Sequence, residues 1–444
     1  MGKYFGTDGF RGGANESLTA IHAFRVGRFL GRHFARGKSG RARIVVGKDT
    51  RLSSYMLEYA LAAGATASGA DVYLLHVTTT PSVSYVTRTE GFDCGVMISA
   101  SHNPYTDNGI KLIGASGGKM DERILSLVEG YLDGGTIPLA TGAEVGRTVD
   151  FVAGRNRYLA YLLSLPRTSL RGLRVGLDCA NGAAWAISKA VFDALGAQTF
   201  VINASPDGMN INEGCGSTCP ETLQALVREK DLDVGFAIDG DADRCIAVNE
   251  RGEVLDGDGI LYVCARALHE RGELDGDTVV ATVMSNLGLA RSLRRGGISC
   301  KTCDVGDKNV FEELERGGYL LGGEPSGHII FRKYATTGDG ILTALKVAET
   351  MLESKCPLSC LSEGFHKLPQ KQTSVRVREK SAVLDDPGVK EAALRVERAG
   401  GRAIVRASGT EPVVRILVEC ESEKECEEGV SAIEHAVRAA EEGI

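Results

Sequence analysis

One stretch of the chain combines a candidate nucleophile with surroundings that could hold it. Residues 95–100 are apolar or small and predict a buried strand, which ends in the polar sequence Ser101-His102-Asn103-Pro104. Because a proline restricts the residue before it to extended or turn conformations, we expect Ser101 and His102 on a fixed loop. Ligands bind at the carboxyl ends of strands in open α/β sheets, so the Ser101 hydroxyl is a candidate nucleophile. A serine that caps a following helix is the alternative interpretation.

Three acidic residues, Asp239, Asp241 and Asp243, follow a second apolar run at a spacing of two. In an extended segment this spacing places all three carboxylates on one side of the chain. Like charges about 4 Å apart repel by roughly 4 kcal/mol at an effective dielectric constant near 20, so the cluster favours a bound cation. Oxygen ligands without cysteine or histidine favour Mg²⁺. A solvated acidic turn and part of a calcium loop are the alternatives, although residues 245–250 return to an apolar strand where an EF-hand loop would continue.

A third loop carries the donors that a phosphate dianion needs. Two guanidiniums, two hydroxyls and a closely approachable glycine are supplied by Arg406, Ser408, Gly409, Thr410 and Arg415. Arginine offers its donors as a bidentate fork, which matches a phosphate group. A plain β-turn with surface arginines is the alternative.

Two weaker signals complete the set of candidate loops. In the loop at 323–328, the side chains of Glu324 and Ser326 could bind sugar hydroxyls, and His328 would titrate near neutrality. A tight turn with a hydrogen-bonded histidine explains that loop equally well. Near the amino terminus, glycines surround Arg11, which indicates a bent backbone that directs this arginine toward a ligand.

The elements that must position these loops form an α/β pattern. Apolar strands alternate with helical segments three times, as in layered sheets with helices on both faces. We place the three α/β domains at residues 1–150, 151–252 and 253–368, and a smaller α+β domain at 369–444. Each α/β domain contributes one polar loop after a strand, and the α+β domain contributes the Arg406 loop. The length of 444 residues also suggests about three or four domains.

Composition excludes several classes of partner. The net charge is −7 with acids and bases interspersed, which argues against nucleic acid but permits a local basic pocket for an anionic substrate. No apolar run indicates a signal sequence or a membrane span, so we expect a cytoplasmic protein without a membrane partner.

The 12 cysteines are scattered, and Cys94, Cys264 and Cys420 lie in apolar strands as buried thiols would. Cys300 and Cys303 form a CxxC without a second pair at zinc-finger spacing, which argues against structural zinc.

Taken together, these loops resemble those of the α-D-phosphohexomutase superfamily over essentially the whole chain. The matching stretches are residues 5–12, 99–104, 107–111, 239–244, 282–288, 323–328, 336–340 and 406–412. The order and spacing of four such loops make the resemblance specific, whereas any one loop would not.

The resemblance implies a fold of four domains around a central cleft and a role for each candidate residue. Ser101 would be carried as phosphoserine, and its phosphate with Asp239, Asp241 and Asp243 would hold one Mg²⁺ per chain. The remaining assignments are catalytic roles for Arg11, His102, Lys111, Arg244 and His328, sugar binding for Glu324 and Ser326, and phosphate binding for Arg406, Ser408, Gly409, Thr410 and Arg415.

Five positions depart from the pattern of the superfamily. Ala242, Ala407 and Lys48 stand where glycine, proline and arginine are usual, and they leave the donors in place. Lys308-Asn309 stands where arginine and tyrosine are common. A lysine is a point charge and lacks the guanidinium fork, so this change affects how the loop would contact a substrate.

The expected activity is a mutase reaction on glucosamine phosphates. The resemblance implies interconversion of glucosamine 6-phosphate and glucosamine 1-phosphate, which feeds UDP-N-acetylglucosamine and cell-wall synthesis. Residues 282–288 and 336–340 resemble the glucosamine branch of the superfamily more than the glucose or mannose branch, which implies this amino sugar. Glucosamine 1,6-bisphosphate or glucose 1,6-bisphosphate would serve as activator, and a homodimer is possible. A Mg²⁺-dependent phosphatase with an aspartate nucleophile and a non-catalytic sugar-phosphate sensor are the alternatives.

Overall fold

The structure is a computed structural model. It describes residues 2–6, 8–35, 40–408 and 411–443. The chain divides into two compact units. The first unit contains the residues up to Met284 together with Gly297–Glu363, and the second contains Ser285–Gly296 and the residues from Gly364 onward.

A mixed sheet with helices on both faces carries the Ser101 loop. Its elements are β1 (Phe10–Gly13), α1 (Ala20–Ala35), β2 (Arg43–Lys48), α2 (Leu52–Thr66), β3 (Asp71–Val77), α3 (Thr80–Thr89), β4 (Cys94–Ile98), β5 (Asp107–Gly114), α4 (Glu122–Leu132) and β6 (Thr148–Asp150). The strand order is β1-β5-β4-β2-β3-β6, with β2 parallel to β3 and β4. Ile44 and Val46 pack in one core with α1 and α2, and Val45 packs in a second core with α3, as the twofold periodicity of a strand requires. The Ser101 loop follows the carboxyl end of β4, as predicted.

The second sheet of this unit carries the aspartate loop. Its elements are α5 (Val152–Ser164), β7 (Arg174–Asp178), α6 (Ile187–Ala194), β8 (Gln198–Ile202), α7 (Glu221–Lys230), β9 (Val234–Ile238), β10 (Cys245–Asn249) and β11 (Val254–Leu255). The strand order is β11-β10-β9-β7-β8, in which β9 is parallel to β7 and antiparallel to β10. Residues 239–244 therefore connect two neighbouring strands, and they begin where the fully buried β9 ends.

The third sheet carries the loop with Glu324. The elements in this part of the chain are α8 (Gly257–Glu270), β12 (Thr278–Thr282), α9 (Leu287–Arg295), β13 (Ser299–Cys303), α10 (Asp307–Gly317), β14 (Leu321–Gly323), β15 (Ile329–Phe331), α11 (Gly340–Ser354) and α12 (Leu358–Ser362), of which α9 belongs to the second unit. The strand order is β13-β12-β14-β15, with β14 and β15 antiparallel. Residues 324–328 thus form the connection of a hairpin.

The second unit contains an antiparallel sheet covered by helices. Its further elements are β16 (Gln370–Arg376), α13 (Lys380–Asp385), α14 (Pro387–Arg398), β17 (Arg402–Ala407), β18 (Val413–Glu419) and α15 (Glu423–Glu442). The strand order is β16-β18-β17. Val414, Ile416 and Val418 alternate along β18 and pack in the core with α14 and α15, which leaves Arg415 on the opposite face. The sheets and their helices confirm three α/β domains followed by a smaller α+β domain.

None of the helices in the described ranges is both long and apolar enough to cross a membrane. Cys94, Cys264 and Cys420 are buried, as predicted. Cys94 lies in β4, whereas Cys264 lies in the helix α8 and Cys420 directly follows β18, so the predicted strand location is wrong for these two. Cys300 and Cys303 both lie on the edge strand β13.

Candidate active site

Ser101 lies fully buried at the start of its loop, against the aspartate loop of the neighbouring domain. Its Oγ donates a hydrogen bond of 2.5 Å to Asp239 Oδ2. Its backbone N–H donates to Ser99 Oγ over 2.9 Å. The backbone φ of Ser101 is +53°, in the left-handed region that a residue with a Cβ rarely adopts. Two loops that are 138 residues apart in sequence therefore meet at this hydroxyl.

The three aspartates of the second loop converge through a turn. The sequence suggests an extended segment, but that interpretation is wrong: residues 240–243 form turns and bends, and Ala242 has a φ of +64°. One carboxylate oxygen from each of Asp239, Asp241 and Asp243 lies within 4.8 Å of the others, and all three residues are buried. Burial, followed by the charges of Asp243 and Asp241, raises the pKa of Asp239 well above its usual value. Such repulsion is relieved by a cation between the carboxylates.

The donor set of this triad fits a hard divalent cation. Asp241 Oδ1 and Asp243 Oδ1 are buried and have no hydrogen-bond donor within reach among the described residues. Buried carboxylate oxygens in native proteins are normally paired, so these two atoms are available as ligands. All three ligands are oxygens, which matches the preference of Mg²⁺. The structure thus contains an aspartate triad able to hold such an ion.

Lys111 on β5 supplies the positive charge nearest to the triad. Its Nζ donates to Asp241 Oδ2 over 2.7 Å and to Asp243 Oδ2 over 2.9 Å, and the residue is buried. Burial opposes its charge, but Asp241 and Asp243 outweigh burial and raise the pKa of Lys111. Thr80 Oγ1 also donates to Asp241 Oδ2. The ammonium therefore stays protonated and holds two of the three ligands in place.

Arg244 connects the aspartate loop to His102, the neighbour of Ser101 in sequence. The backbone N–H of Arg244 donates to Asp239 Oδ1 over 3.1 Å, and the Nη1 of its guanidinium donates to His102 Nδ1 over 2.9 Å. Burial, then the charges of Arg244 and Arg11, lowers the pKa of His102 to about 4. A neutral His102 is therefore expected at pH 7, with Nδ1 as an acceptor. Arg11 pairs with Asp8.

Asp8 is a charged residue of the site that the sequence interpretation did not single out. Its side chain lies 3.7 Å from Lys111 Nζ and 3.6 Å from Lys119 Nζ. Burial opposes ionisation, yet the charges of Lys111, Arg11 and Lys119 lower the pKa of Asp8 to about 2. Lys119 also pairs with Asp307 from the third sheet. Only its place in the glycine-rich stretch around Arg11 could have indicated Asp8.

The hairpin loop at residues 324–328 brings His328 close to the triad. His328 Nδ1 lies 3.8 Å from Asp243 Oδ1. Burial lowers the pKa of His328, but interaction with Asp243 outweighs burial and raises it to about 9, above the neutral range that the sequence suggests. The Gly338 N–H nevertheless donates to Nε2 over 2.9 Å. Such a bond requires a neutral ring with its proton on Nδ1, and a cation on Asp243 would favour that state.

Glu324 and Ser326 differ in how far their polar atoms are occupied. Glu324 Oε1 accepts from the Gly306 N–H over 3.1 Å. Ser326 Oγ is buried without a hydrogen-bond partner among the described residues. A buried hydroxyl without a partner is unfavourable unless a ligand or water supplies one. The geometry is therefore compatible with the predicted contact to a sugar hydroxyl.

The candidate phosphate loop lies in the second unit, between β17 and β18. Arg406 and Arg415 are paired residues on these neighbouring strands. Like charges directly opposite one another are destabilising, so this pair favours an anion. Ser408 is buried, and its carbonyl accepts from Lys380 Nζ over 2.7 Å. Lys380 is a further cation at this loop that the sequence interpretation missed, whereas Gly409 and Thr410 lie outside the described residues.

Three of the residues that depart from the superfamily pattern, Lys48, Lys308 and Asn309, make contacts within the protein. Lys48 is buried and pairs with Glu58 on α2. Lys308 Nζ donates to Glu122 Oε1 over 2.6 Å, a contact between the helices α10 and α4, and Asn309 Nδ2 donates to the Val305 carbonyl over 2.9 Å. The single ammonium of Lys308 is thus already engaged by a protein carboxylate.

Comparisons with known proteins cover the whole chain. Models of the phosphoglucomutase/phosphomannomutase family match as alpha/beta/alpha domain I at residues 2–135, domain II at 156–252, domain III at 256–368 and the C-terminal domain at 373–436. A phosphoglucosamine mutase from Lachnospira eligens is 58% identical over 445 residues, which is 99% of both chains. A similar protein of solved structure, a phosphoglucomutase/phosphomannomutase family protein from Burkholderia thailandensis, has a TM-score of 0.83 at 26% identity over 99% of this chain and 98% of its own.

A more distant solved structure shares the fold. An N-acetylphosphoglucosamine mutase from Aspergillus fumigatus, solved in complex with GlcNAc-6P and magnesium, has a TM-score of 0.69 at 18% identity, with 99% of this chain and 96% of that chain covered. Full-length identity to a curated relative, four consecutive family models and the geometry of the aspartate triad agree. The chain therefore belongs to the phosphoglucomutase/phosphomannomutase family of enzymes, in the α-D-phosphohexomutase superfamily, and within it to the phosphoglucosamine mutases.

Proposed function

We propose that the chain interconverts glucosamine 6-phosphate and glucosamine 1-phosphate through phosphorylated Ser101, in the supply of UDP-N-acetylglucosamine for the cell wall. The observation that carries the proposal is the buried contact between Ser101 Oγ and Asp239 Oδ2, beside two carboxylate oxygens for which the described residues supply no hydrogen-bond partner. A phosphoryl group on this Oγ would lie among the ligands of a divalent cation. The relatives named above support the amino sugar as substrate.

In the proposed reaction, phosphoserine 101 gives its phosphoryl group to O1 of glucosamine 6-phosphate. The P–O bond to Ser101 breaks, a new bond to O1 forms, and the O1 proton passes to the serine side, where Asp239 Oδ2 holds the resulting hydroxyl. The product, glucosamine 1,6-bisphosphate, then turns over in the site. Ser101 Oγ attacks the 6-phosphoryl group and its proton passes to O6, which releases glucosamine 1-phosphate and restores phosphoserine.

The other residues of the site would bind the metal, stabilise the transferring group and bind the sugar. Asp239, Asp241 and Asp243 would hold Mg²⁺, which when bound supplies positive charge for the transferring group. Lys111 and the guanidinium of Arg244, whose Nε lies 3.8 Å from Asp243 Oδ1, are the nearest fixed cations and would stabilise the same charge. Arg11, neutral His102 and His328 would bind and orient the phosphoryl oxygens or carry the proton. Glu324 and Ser326 would bind the sugar hydroxyls.

The phosphate that does not react needs a site of its own. We assign it to Arg406, Ser408, Gly409, Thr410 and Arg415. The paired arginines on β17 and β18 support this assignment. Glucosamine 1,6-bisphosphate or glucose 1,6-bisphosphate is proposed as the activator that phosphorylates Ser101. The cytoplasmic location and the homodimer stay predictions from the sequence.

Intact mass and two enzyme assays test the proposal. The purified protein should carry one phosphate adduct confined to the peptide with Ser101, lost in Ser101→Ala and kept in Ser116→Ala, which changes an exposed serine of the same domain. Glucosamine 1-phosphate should form from the 6-phosphate without release of inorganic phosphate. Phosphate release without isomer formation would identify a phosphatase, and binding without either product would identify a sensor.

A further inference from the structure

Ser101 holds a backbone conformation that needs external support. Its φ of +53° brings the Cβ of a non-glycine residue close to its own carbonyl, which is unfavourable in an isolated loop. Such a conformation persists only where surrounding groups determine it, and it is found most often at functional sites. The side chains that bind the loop backbone are therefore candidates for holding the nucleophile.

Two side chains bind the same pair of carbonyl groups in this loop. Arg51 Nη2 donates to the Ser101 carbonyl over 3.1 Å and to the Asn103 carbonyl over 2.6 Å. Asn212 Nδ2 donates to the same two oxygens over 2.9 and 3.0 Å. Arg51 is fully buried and is itself held by Asp49. Each carbonyl thus accepts two hydrogen bonds, one from each side chain.

Asn212 comes from the same domain as the aspartate triad. Its backbone N–H donates to the Ala180 carbonyl over 2.9 Å, and its own φ is +59°. Gly240 lies directly beside the contact, where an added Cβ would stand 2.6 Å from the Ser101 carbonyl and 2.9 Å from Asn212 Nδ2. Glycine at this position lets the two loops approach closely. The second domain therefore binds Ser101 at two points, through Asp239 at Oγ and through Asn212 at the carbonyl.

We propose that Asn212 is a positioning residue for the phosphoryl transfer, which sets the distance between Ser101 Oγ and the triad by fixing the loop backbone. This inference rests on the proposed role of Ser101. Without Asn212, the Asp239 contact to Oγ and the Arg51 contacts remain, but the loop backbone loses its direct bond to the domain that carries the triad. Catalysis by positioning is sensitive to displacements of about 1 Å. Under the proposed function the sugar phosphate would be bound by the loops at Glu324 and Arg406, so its binding should not depend on Asn212.

Two substitutions test this role without disturbing the backbone at position 212. Asn212→Asp keeps the shape but removes the donor, and Asn212→Gly removes the side chain; both residues tolerate a positive φ. Each should lower kcat by roughly 10- to 100-fold, the cost of a misplaced reacting group. KM for glucosamine 6-phosphate should stay within about twofold, because the interaction acts only on the transferring group. Asn210→Asp is the matched control, since the side chain of this half-buried asparagine bonds within its own loop and its substitution should leave both constants unchanged.

The outcomes separate positioning from a purely structural role and from failure of the proposed function. A kcat within about twofold of wild type in either folded variant, or a KM that rises as much as kcat falls, overturns the role of Asn212. Thermal unfolding shows which variants are folded at the assay temperature. Should Asn212→Asp fail to fold, Asn212→Gly decides alone. If the proposed function itself is wrong, the wild-type chain shows no mutase turnover and no phosphoserine, whereas failure of this inference alone leaves the wild type active and phosphorylated on Ser101.

Discussion

The Ser101 region of the first unit and the Arg406 loop of the second unit are built on different principles. Ser101 and the triad are buried, and their polar atoms are bound to side chains from distant parts of the chain. At the Arg406 loop, Arg415 has a side chain 36% exposed, and its ion pair is with Glu411, four residues away and 59% exposed. The first region is held by long-range contacts, and the second is held mainly by its own hairpin.

This difference corresponds to two kinds of work. Groups that stabilise a transition state must be in place before the reaction, and burial strengthens their electrostatic effect. Groups that hold a phosphate in either orientation of the substrate contribute binding, for which exposed and adjustable arginines suffice. We therefore expect substitutions in the first region to act on kcat and those in the second region to act on KM. Four predictions test this contrast, in order of decreasing effect.

The largest effect is expected for Ser101→Ala. Alanine keeps the Cβ and removes only the proposed phosphoryl carrier, so turnover should fall by roughly a thousandfold or more while the chain stays folded. Mutase activity and circular dichroism measure the two properties, with Ser116→Ala as the control. Activity near that of wild type would remove the basis for assigning transfer to this region.

The next effect concerns the metal ligand Asp241. Asp241→Asn removes one of the three ligand charges and should lower activity by roughly 100-fold at limiting Mg²⁺. Excess Mg²⁺ should restore part of the rate, which would show that the defect lies in the metal. Titration of activity with Mg²⁺ measures this shift. Asp231→Asn makes the same change at an exposed residue of the same domain and should behave as wild type. Full activity of Asp241→Asn in a chelator would contradict the assignment.

A smaller effect is expected at the phosphate loop of the second unit. Arg406→Ala should raise KM for both isomers, since the loop would bind the non-reacting phosphate in either orientation. A charge-assisted hydrogen bond is worth about 1.5–3 kcal/mol, which corresponds to roughly one to two powers of ten in KM. Steady-state kinetics in both directions measure it, with Lys371→Ala as an exposed cation of the same sheet for comparison. A rise in KM for only one of the two isomers would contradict the proposal that the bisphosphate reorients within the site.

The smallest effect is expected for recognition of the amino group. A cationic amine near Glu324 would form a solvent-screened ion pair worth about 0.2–1 kcal/mol. This carboxylate should therefore raise the ratio of kcat/KM for glucosamine 6-phosphate to kcat/KM for glucose 6-phosphate by at most about fivefold. Glu324→Gln should remove that gain. The measurement is kcat/KM for both 6-phosphates, each with its matching bisphosphate. An unchanged ratio in the variant would show that another group recognises the amine.

Local sequence determined the features that could be predicted. Apolar runs next to polar loops located β4 and β9, together with Ser101 and the triad that follow them. The glycines around Arg11 suggested a loop, but residues 10–13 form the edge strand β1 paired with β5. Gly322 and Gly323 likewise belong to β14, although their composition indicated a turn. Pairing with a distant strand decided these segments, and no local pattern records such pairing.

The contacts that fix the site could be predicted least. Thr80, Asp8 and Asn212 reach the site from segments far apart in the chain. Thr80 and Asn212 are common polar residues whose partners are set by the packing of one domain on another, and Asp8 pairs with lysines that lie about a hundred residues away in its own domain. The left-handed turn at Ala242 was also missed, because alanine does not favour that conformation and only its surroundings impose it.

The ion pairs of Lys111 have a consequence for handling the protein. This ammonium already neutralises part of the charge of Asp241 and Asp243, so the buried acidic cluster is tolerable before any cation enters. The chain is therefore expected to fold without bound metal, in contrast to small domains whose fold forms only around a bound ion. We expect that dialysis against a chelator yields a native but silent enzyme, which regains activity when Mg²⁺ is added without a refolding step.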